Sequence, residues 1–354
     1  MRSALSPQSS AEAGLDGAAL AGWLREHVGD AAGELVGLEV AAAGRSNVTV
    51  ILRTADGRRT VLRMPPAGDH LPTAHDVARE GRIMAAVGTT EVPVPHVLGI
   101  EETGSVLGRP FFVMDHVEGQ VFDALEDVSE LPADQRRMLG DDLARVLARL
   151  HRVDPADIGL GELSRTDGFI ERQLRRFTRQ WRPIDPALDS RFAAMGDLLT
   201  ERRPSDEPPA RLVHGDYRIG NVLALDGRVA AVLDWELTTL GDPLSDLAYM
   251  LNNWVDAEEA SDGPITSAIA AGGFGTRDDV LRAYEEALGA PVDRARVDYL
   301  RALAAWRLAS IRSGVVARLG DDPDPQRQAK AAASLRSLPL LIDIAERLLD
   351  GDQT

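Results

Sequence analysis

Residues 214–221 read HGDYRIGN and are followed by VLDWE at residues 232–236. Their polar members include Asp216, then Asn221 five residues later, and Asp234 thirteen residues after that, at the end of an apolar run. The two glycines of the first stretch are typical of a loop between short strands. A layout of this kind can place two carboxylates and an amide around one point, and such oxygen ligands favour Mg²⁺ over Zn²⁺.

The composition excludes several classes of protein. The chain has 354 residues, which suggests about two domains of ~150 residues each. Its 39 basic and 56 acidic residues give a formal net charge of -17, which repels phosphate backbones, so no nucleic-acid partner is expected. Cysteine is absent from the sequence, which excludes disulfides, thiolate nucleophiles and Cys-ligated metal sites. Lys330 is the only lysine, so a Walker A loop is excluded and a phosphate-binding cation elsewhere in the chain must be an arginine.

The hydropathy pattern predicts a protein with no membrane partner. No apolar run approaches the ~20 residues that span a bilayer. Residues 1–13 lack the apolar core of a secretory signal. We therefore expect a cytoplasmic protein, and the sequence leaves its oligomeric state open.

Hydrophobic periodicity divides the chain into a β-rich first third and a mainly helical remainder. The first third has the order helix, three strands, helix, two strands, at residues 17–29, 38–40, 48–52, 60–64, 73–87, 97–100 and 110–117. The remainder favours helices at 136–151, 169–181, 187–200, 244–253, 277–288, 297–319 and 329–349, and short strands at 211–213, 221–225 and 229–233. We therefore expect an α+β protein with a flexible N-terminus (1–16), a small antiparallel-sheet lobe (17–118) and a larger, mainly helical lobe (119–350).

The His-Gly-Asp motif with its downstream Asn, and the strand that ends in Asp234-Trp235, resemble the aminoglycoside phosphotransferase and choline kinase family. Both spacings, five and thirteen residues, match those of protein kinases. The run DWELTTLGDPL at residues 234–244 is similar to one branch in particular, the kinase-like domains found fused to, or near, acyl-CoA dehydrogenases. The resemblance implies a bilobal protein-kinase-like fold, with an N-lobe that covers the nucleotide and a C-lobe that carries the catalytic loop.

The resemblance also implies roles for the central residues. Asp216 takes the place of the catalytic carboxylate, which orients the acceptor hydroxyl group or accepts its proton. Asn221 and Asp234 take the place of the residues that hold Mg²⁺ on the nucleotide phosphates. His214 is implied to support the loop from beneath, and Asp246 to be a buried acid that holds backbone N–H groups of the loop. For His-Gly-Asp taken alone, a turn with an Asx cap is the alternative.

The phosphate-binding residues that the resemblance implies lie in the first third of the chain. The turn at residues 44–47 stands where the family covers the phosphates, and its candidate ligands are Ser46 and Asn47. Because this turn is not G-x-G-x-x-G, an ordinary hairpin is the alternative. Arg63 takes the place of the cation that the family pairs with a glutamate in the next helix, here Glu80, and it supplies a permanent bidentate donor where protein kinases have lysine. A surface Arg–Glu pair is the alternative for these two.

The segment FFVMDHVEG at residues 111–119 resembles the hinge of the family. Backbone groups of Asp115 and Val117 are implied to pair with the purine edge of ATP or GTP. Since backbone groups read the base, the choice between the two nucleotides stays open. An ordinary core strand followed by a turn is the alternative.

Taken together, the resemblance implies an Mg²⁺-dependent phosphotransferase that moves the γ-phosphate of ATP or GTP to a hydroxyl group of a small molecule. The acceptor stays open: Arg307 and Arg318 suit an anionic group, whereas the acidic run at residues 256–262 suits a solvated face better than a cationic aminoglycoside. A true aminoglycoside-inactivating kinase is therefore one alternative. The other alternative is a nucleotide- or ligand-binding module without turnover. Only Arg63 and the turn at residues 44–47 favour it.

Overall fold

The computed structural model describes residues 15–29, 33–43, 47–66, 76–129, 131–163, 168–206, 208–255, 258–259, 264–265 and 267–351. It divides into two compact units. The first holds the chain up to Gly119 together with Ala230–Thr238, and the second holds Gln120–Val229 together with the chain from Thr239 onward. None of the helices in these ranges is long and apolar enough to cross a membrane.

The first unit is built around a five-stranded antiparallel sheet with the strand order β1-β2-β3-β5-β4. Its strands are β1 (Leu35–Ala43), β2 (Val48–Thr54), β3 (Arg59–Met64), β4 (Val97–Glu101) and β5 (Phe111–Asp115), and its helices are α1 (Gly17–His27) and α2 (Val77–Val87). Each helix begins after an aspartate that accepts hydrogen bonds from first-turn N–H groups, Asp16 for α1 and Asp76 for α2. These caps explain why both helices start where they do.

The side chains of β3 alternate between the apolar core of the first unit and the opposite face of the sheet. Leu62 and Met64 are fully buried in the apolar core of the first unit, where Trp23 of α1 also packs. Arg63 lies between them in the sequence, so its side chain points to the opposite face of the sheet. On that face it contacts Glu80 of α2.

The second unit is mainly helical. Its helices are α3 (Ala133–Arg152), α4 (Phe169–Gln180), α5 (Pro186–Glu201), α6 (Leu244–Asn252), α7 (Arg277–Leu288), α8 (Arg294–Leu319) and α9 (Pro325–Asp350). Two pairs of short strands accompany them, β6 (Arg211–Val213) with β9 (Thr239–Gly241) and β7 (Val222–Leu225) with β8 (Arg228–Val232), of which residues 230–232 belong to the first unit. The core contains Trp306 of α8, which stacks on Phe192 at 4.6 Å, and Phe192 stacks in turn on Trp181 at 4.0 Å.

The predicted α+β class is confirmed, and the predicted elements are present with shifted ends. Helix α8 begins three residues before its predicted start because Asp293 caps it through the N–H of Arg296. Helix α9 begins four residues early because Asp324 caps it and Pro325 occupies its first turn. The sequence does not predict β9, since a strand of three residues is too short for a periodic signal and is defined by its pairing with β6.

Gly140 of α3 is expected not to tolerate a side chain. A Cβ atom there would lie 2.1 Å from the carbonyl oxygen of Phe274 and 3.3 Å from the ring of Trp254. Gly140→Ala should therefore lower the free energy of unfolding by about 1–3 kcal/mol, the usual cost of overpacking, although alanine is the better helix former. Urea denaturation measures this change.

The matched control is Gly22→Ala in α1. Beyond its chain neighbours and the backbone of its own helix, no described atom lies within 4 Å of a Cβ added at Gly22. This variant should gain about 0.5–1 kcal/mol of stability, because only the backbone entropy of glycine is removed. Equal changes in stability at Gly22 and Gly140 would contradict the packing described for α3.

Candidate active site

The loop after β6 is held by one buried carboxylate. The N–H groups of His214 and Gly215 donate to Asp246 of α6, at 2.6 Å and 2.8 Å. Asp246 is 1% exposed, and His151 of α3 lies 3.5 Å from the same carboxylate. Gly215 has a φ of +88°, which other residues rarely adopt, so this turn requires the glycine of the motif.

Hydrogen bonds and charge keep Asp246 ionised. Burial alone would raise the pKa of this carboxyl group. The hydrogen bond and charge of His151 and the N–H of Gly215 outweigh burial and hold the pKa below its ordinary value. Ionised Asp246 can therefore accept from both loop N–H groups at neutral pH.

A short turn brings Asp216 and Asn221 together. Residues Ile219–Asn221 form one turn of 3₁₀-helix, and Asn221 Nδ2 donates to Oδ2 of Asp216 at 2.7 Å and to its carbonyl oxygen at 2.8 Å. Arg218 Nε lies 3.8 Å from Oδ1, and Arg218 also pairs with Asp123. The side chain of Asp216 is 27% exposed, so its carboxylate is held on one side and remains accessible to a hydroxyl compound.

The first unit holds a second cluster, centred on Arg63. The guanidinium donates to Asp234 Oδ1 through Nη2 at 2.7 Å and to Glu80 Oε2 through Nε at 3.0 Å. Asn47, just before β2, donates through Nδ2 to the same Glu80 oxygen at 3.2 Å. Because Glu80 is 1% exposed and Asn47 is also buried, Arg63 and Glu80 are not a surface pair.

Asp234 reaches this cluster because its segment packs in the first unit. Val232 N donates to the carbonyl of Pro93 at 2.8 Å, and Arg79 of α2 donates to the carbonyl of Thr238 at 2.6 Å. Asp234 has a φ of +66°, a left-handed conformation that is uncommon for residues other than glycine. Contacts on both sides of Asp234 therefore hold it in this conformation.

The carboxylates of Glu80, Asp234 and Glu236 all interact electrostatically with the guanidinium of Arg63. Burial is the largest cause that raises the pKa of Glu80, to about 7, and the charges of Asp234 and Glu236 add to it, while Arg63 acts in the opposite direction. Between the ordinary value of 4.5 and about 7, the folded state holds a proton that the unfolded state has released. The free energy of unfolding therefore falls as pH rises through this window.

The variant Glu80→Gln should flatten this part of the stability profile, because its amide does not titrate. Urea denaturation of both proteins at about pH 5 and about pH 7.5 measures the difference. The same pH dependence in both proteins would contradict the raised pKa of Glu80.

The remaining nucleotide candidates lie at the ends of strands in the first unit. Asp115 ends β5, and its N–H donates to the carbonyl of His96 at 2.8 Å, so this N–H is not available to a base. Val117 lies two residues further along, outside the strand. Ser46 lies outside the described residues, so its role stays a prediction.

Two further residues lie beside the catalytic loop. Tyr249 of α6 lies one helical turn after Asp246, and its ring centre lies 5.6 Å from the guanidinium of Arg307. Arg307 of α8, which the sequence marks only as a candidate for binding anions, donates through Nη2 to the carbonyl of Gly215 at 3.0 Å. The i, i+3 spacing from Asp246 is a signal that could have found Tyr249. No local pattern connects Arg307 with Gly215.

The predicted metal ligands are an amide and a carboxylate. Asp216 engages Nδ2 of Asn221, which leaves Oδ1 as the amide atom that can bind a metal. This oxygen and the carboxylate of Asp234 are hard donors that suit Mg²⁺. Among the residues whose positions are described, no group of three or more His, Asp or Glu side chains is arranged to hold a metal ion.

Comparison with known proteins identifies the family. A model of the phosphotransferase enzyme family matches residues 37–300. The chain belongs to this family. A relative of this chain is acyl-CoA dehydrogenase family member 10 of Mus musculus, with 32% identity over 316 residues. The matched region covers 87% of this chain and 28% of the relative. The chain therefore spans less than a third of the length of that relative, and the predicted resemblance to its branch is confirmed.

Solved structures show the same family likeness. A putative aminoglycoside phosphotransferase from Ralstonia eutropha has a TM-score of 0.79 and 28% identity, covering 95% of this chain and 99% of its own. A thermostable mutant of another aminoglycoside phosphotransferase, in a ternary complex with ADP and hygromycin B, has a TM-score of 0.59 and 18% identity, covering 95% and 100%. These neighbours confirm the kinase-like fold class. Together with the family model, they confirm the predicted enzyme class, a small-molecule kinase.

Proposed function

We propose that this member of the phosphotransferase family transfers the γ-phosphate of ATP or GTP, with Mg²⁺, to a hydroxyl group of a small molecule. The observation that carries the proposal is the carboxylate of Asp216, which Asn221 holds on one side while the other side stays accessible. Membership of the family supports it. The neighbour with bound ADP and hygromycin B supports a nucleotide donor and a small-molecule acceptor.

In this proposal Asp216 orients the acceptor hydroxyl group and accepts its proton. The acceptor oxygen forms a new bond to the γ-phosphorus, the bond to the β-phosphate oxygen breaks, and the nucleoside diphosphate leaves. Because Asn221 engages Oδ2, the acceptor approaches Oδ1. Catalysis then consists mainly of positioning and neutralisation of charge, as expected for phosphoryl transfer.

We assign Mg²⁺ binding to Asn221 Oδ1 and the carboxylate of Asp234. When bound, the ion neutralises charge on the nucleotide phosphates. Arg63 donates to Oδ1 of Asp234 and so fixes the direction of this carboxylate, which leaves Oδ2 for the ion.

The residues proposed to bind or support the nucleotide are those that the resemblance implies, and Asn47, implied as a phosphate ligand, is proposed instead to support Arg63 through Glu80. Glu80 and Asn47 hold Arg63 through a buried hydrogen-bonded group, so they act by fixing its position. The full set consists of Ser46, Asn47, Arg63, Glu80, Asp115 and Val117.

Asp234 and Asp226 provide a matched test of the metal assignment. Their φ values are +66° and +50°, and within the described ranges they are the two non-glycine residues with positive φ. Asparagine adopts this conformation as readily as aspartate, so Asp→Asn removes only the charge at each position. By isothermal titration calorimetry, Asp234→Asn should bind Mg·AMP-PNP at least about tenfold more weakly than wild type, whereas Asp226→Asn should bind it normally. Equal affinities in the two variants would overturn the assignment.

The acceptor is proposed only as a hydroxyl compound. Of the acidic run, Asp256 and Asp262 lie outside the described residues, and Glu259 pairs with Arg277 at 2.7 Å. ADP release from Mg·ATP with aminoglycosides, hydroxy acids and hydroxyacyl thioesters as acceptors separates the alternatives. Transfer to aminoglycosides alone would favour an antibiotic-inactivating kinase, and nucleotide binding without any transfer would favour a module without turnover.

A further inference from the structure

Two arginines lie beside one buried aromatic ring close to the catalytic loop. The guanidinium of Arg176 in α4 lies 5.3 Å from the ring centre of Phe177, and that of Arg307 in α8 lies 5.6 Å from the same centre. Arg307 also donates through Nη2 to the carbonyl of Gly215 at 3.0 Å. Because Gly215 directly precedes Asp216, the cation of Arg307 lies next to the loop that carries the proposed catalytic carboxylate.

Neither arginine is paired with a carboxylate of a described residue. A guanidinium has five N–H donors, and the carbonyl of Gly215 accepts only one hydrogen bond from Arg307. Within the described ranges, Arg176 contacts the Phe177 ring and makes no ion pair. Arg175, its neighbour in α4, differs because it lies 3.8 Å from Glu171. Arg176 and Arg307 therefore have donors that an anion can use.

Helix α4 is cationic in a chain whose formal net charge is -17. It contains a single acidic residue and four arginines, which are Arg172, Arg175, Arg176 and Arg179. Because the chain as a whole repels anions, an anion can bind only where cations dominate locally. The surface of α4 next to Arg307 is such a place.

Arg307 also lines a cavity beside the catalytic loop, together with Gln173 of α4, Tyr249 of α6 and Gly215. Burial raises the pKa of the Tyr249 hydroxyl group, so this group is uncharged at neutral pH. Asp246 also lines the cavity, but both of its oxygens already accept from N–H groups of the loop. The cavity therefore presents neutral donors and one cation to a ligand.

We propose that Arg176 and Arg307 bind an anionic group of the acceptor, a carboxylate or a phosphate, while the hydroxyl group of the acceptor meets Asp216. The inference rests on the proposed function and names the acceptor class, a hydroxyl compound that also carries an anion. Guanidinium groups match the planar, bidentate geometry of carboxylates and phosphates. The contact with Gly215 fixes the guanidinium of Arg307 relative to the residue that serves the hydroxyl group.

Arg318, the other arginine that the sequence marks as a candidate for anions, is not part of this site. It is exposed and lies eleven residues after Arg307 in α8, which corresponds to about 16 Å along the helix.

Paired acceptors test the site, with ADP release from Mg·ATP as the readout. Hydroxy acids such as lactate are compared with their amides, and phosphorylated alcohols such as glycerol phosphate with the free alcohols. The wild-type protein should have a kcat/KM about 100-fold higher for the anionic member of one pair, since two charged donors contact it. The pair that responds shows whether the anion is a carboxylate or a phosphate.

Arg176→Met and Arg307→Met should each lower this preference about tenfold, with KM for Mg·ATP within about twofold of wild type. The preference compares two acceptors in the same variant, so a general loss of loop order affects both and cancels. A wild-type protein that transfers phosphate only to uncharged or cationic acceptors would overturn the site. An unchanged preference in both variants would overturn it as well.

The matched controls are Arg175→Met in α4 and Arg318→Met in α8, which remove exposed arginines from the same two helices. Both controls should keep the wild-type preference for the anionic acceptor. If they lose as much preference as Arg176→Met and Arg307→Met, the effect comes from the overall charge of the protein, and the proposed site is wrong.

Side-chain ¹⁵N NMR tests anion binding without turnover. Lactate or glycerol phosphate, added without nucleotide, should shift the Nε–H signals of Arg176 and Arg307 and leave those of Arg175 and Arg318 unchanged. Unchanged signals of Arg176 and Arg307 with both anions would overturn the site. If the wild-type protein transfers phosphate to no acceptor, the proposed function fails, whereas these titrations still decide whether Arg176 and Arg307 bind an anion.

Discussion

The variant Asp216→Asn is expected to transfer phosphate at least about 100-fold more slowly than the wild-type protein. Asparagine has nearly the same shape, and Asn221 can still donate to its side-chain oxygen, so the geometry of the loop is retained. The variant lacks the negative charge that orients the acceptor and takes its proton. ADP release at saturating Mg·ATP measures turnover, and calorimetry with Mg·AMP-PNP should show nucleotide binding within about threefold of wild type.

The control for this prediction is Asp226→Asn, which removes the same charge from an exposed turn between β7 and β8. It should keep the wild-type kcat. Equal rates in Asp216→Asn and Asp226→Asn would contradict a catalytic role for Asp216. A loss of nucleotide binding as large as the loss of turnover would contradict the assignment of Asp216 to the acceptor.

The variant Asp246→Ala is expected to have the largest effect on stability. It removes the buried acceptor of the N–H groups of His214 and Gly215, and an unsatisfied buried donor costs about 1–3 kcal/mol. The free energy of unfolding should fall by about 2–5 kcal/mol. Turnover per folded molecule should fall as well, because the loop that carries Asp216 loses its support. Urea denaturation and ADP release on the same sample measure the two effects.

The control variant Asp142→Ala distinguishes loss of support for the catalytic loop from a general loss of stability. Asp142 is also a buried carboxylate, and it accepts the N–H of Val229 at 2.8 Å. Its loss should lower stability in the same way, but kcat per folded molecule should stay at the wild-type value. If both variants lose the same fraction of kcat, Asp246 does not act specifically on the catalytic loop.

Local patterns in the sequence predict the elements that carry the candidate site. Because buried faces require apolar side chains at regular positions, the sequence itself shows the apolar stripe of α3 and the β-branched runs of the first sheet. The short spacing between Asp216 and Asn221 allows one turn to bring their side chains within hydrogen-bond distance. The pairing of Arg63 with Glu80 was expected only from the family resemblance, and it joins two neighbouring elements of the first unit.

Contacts between distant parts of the chain could not be predicted in this way. Arg63 meets Asp234 across 171 residues, and the partner of a single strand or charge depends on packing that no local period encodes. Tyr249 was missed because an aromatic residue on a helix usually indicates core packing, whereas the position of its ring beside the Arg307 guanidinium is defined only by the fold. Asn47, predicted to contact phosphates, uses its Nδ2 on buried Glu80, since burial of that carboxylate requires donors.

Transfer of phosphate from a nucleotide to a small-molecule hydroxyl group can be followed directly by ³¹P NMR of the wild-type protein with Mg·ATP and a mixture of hydroxyl compounds. We expect a phosphomonoester resonance that grows as the γ-phosphate signal of ATP declines, and that is absent without Mg²⁺ and with Asp216→Asn. ATP that stays intact with every acceptor, or that releases only inorganic phosphate, would contradict the account.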